Sequence, residues 1–114
     1  MNIIYHNPNW SKSRKSVEIL NNAGVSFSII KYLKDVPAPE QIKTICFMLD
    51  IRPMHLVRKS EKDYKENNIE AILEDDNKLV DKMIQYPKLI ERPIVIIGNK
   101  AVIGRPPEKI FEIL

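Results

Sequence analysis

Apolar residues arrive in this chain in two rhythms, short consecutive runs near the ends and a helical spacing in the middle. "NIIY" (2–5) is a brief apolar run and reads as a buried strand. Residues 11–23, "SKSRKSVEILNNA", read as a helix with Val17, Leu20 and Ala23 on one face. Gly24 follows and suits a left-handed C-terminal cap. "SFSIIKY" (26–32) is rich in β-formers and predicts a second strand, and "DVPAP" breaks it. From Pro39 to Leu49, Ile42, Ile45, Cys46 and Leu49 recur at i, i+3, i+4 and i+7, the stripe of an amphipathic helix.

"RPMHLVRK" predicts a second short helix opened by Pro53. Residues 60–73 are polar and irregular and predict short helical turns. "DDNKLVDKMIQYP" predicts a helix capped by Asp75 or Asp76, with Leu79, Val80, Met83 and Ile84 as its apolar face. Near the C-terminus "IVII" and "AVI" form two strands, and Gly98-Asn99 between them suits a two-residue hairpin turn. Pro106 and Pro107 open a last helix carrying Ile110, Phe111 and Leu114. The first two strands can pair in parallel through the crossover helix, and the last two pair antiparallel. The expected fold class is α/β, a thioredoxin-like fold with a mixed four-stranded sheet and a helical insertion. No repeat, low-complexity tract or linker interrupts residues 1–114, so a single domain is expected.

Composition adds exclusions. The 114 residues carry 18 basic and 15 acidic side chains, a net charge of +3. That balance permits anionic ligands and gives no ground for nucleic-acid binding. A single cysteine rules out an internal disulfide, and two separated histidines, His6 and His55, make a metal site an unpromising reading. The start lacks the basic and apolar regions of a signal peptide, and no apolar run could span a bilayer, so a cytoplasmic protein with no membrane contact is the expectation. Cys46 falls on the apolar face of its helix and reads as a small core hydrophobe. "KSEKDYKE" mixes both charges and reads as a solvated face.

Candidate chemistry concentrates in "IIYHNPNWSKSR" (3–14), where a strand gives way to a helix start. The first amides of a helix lack intrahelical partners and, with the helix dipole, favour anions. Ser11, Lys12, Ser13 and Arg14 would supply that end. A cysteine just before such a turn would have its thiolate stabilised, but the residue there is Trp10, which has no nucleophilic atom. Three further arginines flank predicted elements: Arg58 after Leu56-Val57, Arg92 before Pro93 and the third strand, and Arg105 after the fourth. Guanidinium forks suit oxyanions, although spacing alone does not bring the three together.

The stretches "YHNPNWSKSR" (5–14), "LVRKSEKDYKE" (56–66), "ERPIVI" (91–96) and "VIGRPPE" (102–108) together resemble the ArsC family of glutaredoxin-linked arsenate reductases. The resemblance covers nearly the whole chain, and the short length is similar to the YffB-like branch; the Spx regulators share the fold. In the family the loop reads roughly His-Asn-Pro-x-Cys-x-x-Ser-Arg, with the cysteine attacking arsenate, glutathione displacing the product and glutaredoxin completing the reduction. Here His6, Asn7, Pro8, Ser13 and Arg14 match, and Trp10 takes the cysteine position. The resemblance implies oxyanion binding by Arg58, Arg92 and Arg105, and a cis bond before Pro93.

An indole can neither form an As–S bond nor undergo thiol exchange. The expectation is a family member that keeps the arginine site for a small oxyanion (arsenate, phosphate or sulfate) or a thiol compound but is impaired or inactive as a reductase. No bound cofactor is expected, and glutathione and glutaredoxin would be co-substrates only in an active protein. The Trp10 ring is expected to fill the pocket or cover its mouth, stacking on Arg92 or Arg14. His6 and Asn7 are expected to order the loop. Two alternatives stay open: an Spx-like interaction module, and a reductase using another group, with Ser11 or Ser13 as the hydroxyl and His6 as the base.

Overall fold

A computed structural model describes residues 2–114, and these form two compact units. The first joins the N-terminal segment through Asp35 to the C-terminal segment from Arg92; the second is Val36–Glu91.

The first unit is built on four strands: β1 (Asn2–Tyr5), β2 (Ser28–Ile30), β3 (Ile94–Ile97) and β4 (Lys100–Ile103). Their order is β2-β1-β3-β4. β1 runs parallel to β2 and antiparallel to β3, and β3 and β4 form an antiparallel hairpin. This is the mixed sheet expected from the sequence, and the architecture is α/β and thioredoxin-like. Gly98 takes φ +62 at the first hairpin position, where a glycine relieves the steric cost of positive φ. Helix α1 (Ser11–Asn22) makes the crossover between β1 and β2. Ile4, Ile19, Leu20, Val95 and Ile110 form the buried core between sheet, α1 and the C-terminal turn.

Three details of this unit differ from the sequence reading. β2 keeps only Ser28–Ile30 of the expected 26–32, because an edge strand is held by one neighbour alone. On α1 the buried positions are Ser13, Ser16, Ile19 and Leu20, while Val17 is half-buried and Ala23 exposed. The two serines turn inward because each finds a hydrogen-bond partner there, Ser16 by donating to the Lys12 carbonyl at 2.8 Å. The last helix is a 3₁₀ segment, Pro107–Glu112. Three residues per turn put Pro107 and Ile110 inside, and Phe111 and Leu114, expected on the apolar face, stand exposed.

The second unit contains α2 (Pro39–Leu49), α3 (Lys62–Glu66) and α4 (Asp76–Gln85), joined by 3₁₀ turns at Pro53–His55, Ile69–Ile72 and Pro87–Leu89. Its buried side chains include Ile42, Ile45, Leu56, Ile69, Leu79, Val80, Met83 and Leu89. Leu49 and Ile84, expected on inner faces, are half-buried. Asp75 is the α4 cap, its carboxylate accepting from the Lys78 amide at 3.1 Å, which satisfies one of the orphan donors of the helix start. A single antiparallel bridge joins Val57 to Ile90 and holds the stretch bearing Arg58 beside that bearing Glu91.

Candidate functional site

The loop between β1 and α1 is tied down from within. The His6 amide continues the strand pairing by donating to the Ile30 carbonyl at 2.8 Å. Asn7 follows with an Asx turn, its Oδ1 accepting from the Asn9 amide at 3.1 Å and its carbonyl from the Trp10 amide at 3.0 Å. Such a turn lets a short polar side chain do the work of a backbone partner. Ser13, fully buried, reaches back to the same loop: its hydroxyl accepts from the Asn7 amide at 3.1 Å and lies 2.6 Å from His6 Nδ1. With its one proton a hydroxyl that accepts from Asn7 can donate to an unprotonated Nδ1.

The surroundings of His6 disfavour its charged form. Burial lowers its pKa, and the positive charges of Lys31 and Arg14 lower it further. Arg14, one of the expected stacking partners of Trp10, instead donates from Nη1 to the Pro8 carbonyl at 3.0 Å and braces the loop from its exposed side.

Trp10 is the residue immediately before α1. Its backbone is extended (φ −103, ψ 126) and its carbonyl accepts the first helical bond, from the Arg14 amide at 3.0 Å. Ser11 and Lys12, exposed, begin the helix with Ser13, and the amides of this first turn have no intrahelical acceptor. The indole turns toward two arginines. The guanidinium carbon of Arg92 lies 3.8 Å from the ring centroid and that of Arg105 5.5 Å. Arg92 is only 5% exposed, so its charge stands in a medium where a π face attracts it more strongly than in water. The expected stacking on Arg92 is present, and Arg105 joins it.

The positions of these two arginines follow from the hairpin that carries them. Arg92 precedes Pro93 across a cis bond at the entrance to β3, and Arg105 leaves β4. The Arg105–Pro106 bond is cis as well. The Gly104 amide donates to the Pro93 carbonyl at 2.8 Å, so the two arginine-bearing segments are zipped together one step beyond the strand ladder. A methyl group on Gly104 would stand 3.0 Å from both Pro93 Cγ and Ser16 Oγ. The glycine is thus the point where the hairpin and α1 approach each other, a role the sequence reading did not assign.

Arg58 belongs to the second unit. It is mostly buried and held by two carboxylates, Glu61 Oε1 at 3.4 Å from Nε and Glu91 Oε1 at 3.3 Å from Nη1. Neither glutamate was singled out in the sequence. The i, i+3 spacing of Arg58 and Glu61 carried a signal, whereas Glu91 reaches Arg58 only through the Val57–Ile90 bridge. Cys46, on α2, is buried, and burial together with the negative charge of Asp76 pushes its thiol up to about 11. Among the described residues no group of three or more His, Cys, Asp or Glu side chains could hold a metal ion, and no helix is long and apolar enough to cross a membrane.

Comparison with known proteins gives a consistent picture. The model of the ArsC family matches residues 5–113. The arsenate reductase of Haemophilus influenzae is 40% identical over 115 residues, covering 98% of this chain and 97% of that protein. The protein YfgD of Escherichia coli (strain K12) is also 40% identical, covering 97% of this chain and 94% of that protein. Among solved structures, the arsenate reductase from Vibrio cholerae matches with a TM-score of 0.94 at 41% identity, over 99% of this chain and 97% of that one.

Proposed function

The chain belongs to the ArsC family, and we propose that it is a member that retains an arginine site for a small oxyanion while lacking the group that reduces arsenate through a thiol. Residues 1–114 are read as one ArsC domain acting in the cytoplasm. The observation that carries the reading is the approach of Arg92 and Arg105 to the ring of Trp10, 3.8 and 5.5 Å from its centroid. Trp10 stands at the family's nucleophile position, so two of the family's three anion-binding arginines converge where the chemistry would occur.

The ligand class is a tetrahedral oxyanion: arsenate, phosphate or sulfate. Arg92 and Arg105 supply planar donor forks. The first-turn amides of Ser11, Lys12 and Ser13 add the positive end of the α1 dipole, Lys12 adds charge at the same end, and the Arg14 amide is committed to the Trp10 carbonyl. Pro93 fixes the segment that bears Arg92, and His6, Asn7 and Ser13 fix the loop that bears Trp10. Arg58 is neutralised by Glu61 and Glu91, so the reading rests on the other two arginines. No bound cofactor is called for. Glutathione and glutaredoxin enter as co-substrates only if a thiol is present to receive arsenate.

The pairing of Arg58 with two carboxylates favours, as a second reading, an Spx-like interaction module, in which the arginines serve structure and the surface serves a protein partner. A reductase built on a different group finds less support. Ser13 is fully buried with its hydroxyl committed to His6 and Asn7, and the Cys46 thiol stays protonated at neutral pH.

The test is arsenate-dependent NADPH oxidation in the presence of glutathione, glutaredoxin and glutathione reductase, comparing the protein with Trp10→Cys. The natural chain is expected to give the rate of the protein-free control, and the cysteine variant a measurable rate. Turnover by the natural chain would overturn the proposal.

A further inference from the structure

Ser16 interrupts the apolar face of α1, yet it is fully buried. Its hydroxyl donates to the Lys12 carbonyl at 2.8 Å, which fixes where the oxygen stands. Across from it lies Gly104, whose amide donates to the Pro93 carbonyl at 2.8 Å. A methyl group on Gly104 would meet Ser16 Oγ and Pro93 Cγ, each at 3.0 Å. Favourable carbon contacts lie at about 3.5–4.0 Å. Both neighbours are held, the hydroxyl by Lys12 and the proline, whose ring fixes its backbone angle, by the Gly104 amide. At its present width the seam admits a hydrogen on Gly104 and no methyl group.

Each side of this seam leads directly to a donor of the oxyanion site proposed above. Pro93 follows Arg92, and Gly104 precedes Arg105. Ser16 is tied to Lys12 in the first turn of α1, whose amides have no intrahelical acceptor. The three donor groups come from separate stretches of chain, so no local geometry fixes their spacing. An anion held by all of them needs N–O distances of about 2.7–3.2 Å. A shift of a few tenths of an ångström at the seam takes one donor out of that window.

We propose that Gly104 and Ser16 are positioning residues: their contact, closed by Pro93, sets the spacing between the arginine-bearing hairpin and the first turn of α1, and with it the affinity for a tetrahedral oxyanion. The proposal rests on the oxyanion reading above. It adds the residues that tune the site without touching the anion.

Inorganic phosphate at constant ionic strength, followed by calorimetry, is the probe. Gly104→Ala should bind it about 10-fold more weakly than the natural chain, short of the roughly 100-fold that a 1 Å misplacement can cost. Adding Ser16→Ala to Gly104→Ala should recover much of that loss, because the obstructing oxygen is gone. Ile19→Val, a core substitution elsewhere on α1, lowers stability and should leave the affinity unchanged. Equal or tighter binding by Gly104→Ala would overturn the positioning role and leave the oxyanion site standing. So would a loss that the double variant does not recover, or an equal loss in Ile19→Val, since either marks a general loosening of the fold. Absence of phosphate binding by the natural chain would overturn the site and the positioning role with it. Should Gly104→Ala not fold, Ser16→Cys decides: its larger sulfur presses on Gly104 from the other side, and unchanged affinity overturns the proposal.

Discussion

His6 Nδ1 and Ser13 Oγ meet at 2.6 Å inside the loop that presents Trp10. The contact joins the end of β1 to the first turn of α1. Burial and the charges of Lys31 and Arg14 lower the imidazole pKa from its usual 6.5.

The pH dependence follows from that direction. In the unfolded chain His6 takes up its proton as pH falls through about 6.5, while in the folded protein it resists until a lower pH. Between those two values the unfolded state binds more protons, so stability is lost as pH falls below 6.5 and is fully present above it. Urea unfolding of the natural chain and His6→Asn between pH 5 and pH 7.5 should show a smaller loss for the variant. An NMR titration placing the His6 ring at or above 6.5 would refute the assignment.

Gly104 offers a second, independent test. A Cβ there would press on Pro93 Cγ and Ser16 Oγ at 3.0 Å. Overpacking of this kind costs about 1–3 kcal/mol, so Gly104→Ala should unfold at lower urea with an unchanged m-value. Because Pro93 adjoins Arg92, the same variant should shift the emission of Trp10. Natural stability and natural emission together would show that the hairpin and α1 are less closely fitted than the geometry requires.

Cys46 should be inert in the folded protein. Its buried thiol, raised to about 11, offers almost no thiolate at neutral pH, and the thiolate is the reactive form. A disulfide reagent at pH 8 should therefore modify it slowly in the native state and rapidly in denaturant. Fast native labelling would reopen Cys46 as a substitute for the missing nucleophile.

Much of this could be read from the sequence because local chemistry and final structure agree. The β-rich runs flanking Gly98-Asn99 became a hairpin, and Asp75 became the cap of α4. The face of α2 carrying Ile42, Ile45 and Cys46 went inside. What escaped depended on partners distant in sequence or on polar groups that turned inward. Ser13 and Ser16 broke the apolar rhythm of α1 because hydrogen bonds, not hydrophobicity, hold them in place. Glu91 is paired with Arg58 across 33 positions of chain, which no periodicity could reveal. The stacking of Trp10 on Arg92 was foreseen from the site itself, while the competing demand of the Pro8 carbonyl on Arg14 was not.

The strand order has a bearing on how the chain is made. β1 is central, yet its antiparallel partner, β3, is written near the other terminus. On a ribosome Ile4 is synthesised early and Val95 late, and the whole Val36–Glu91 unit, with a core of its own, emerges between them. Until then β1 has only β2 to pair with, three residues in parallel. Long-range pairings form slowly because closure of the chain must precede them. The Arg92–Trp10 contact is therefore among the last features a newly made molecule can acquire, and a chain interrupted before Arg92 would carry Trp10 without either of the two arginines that face it.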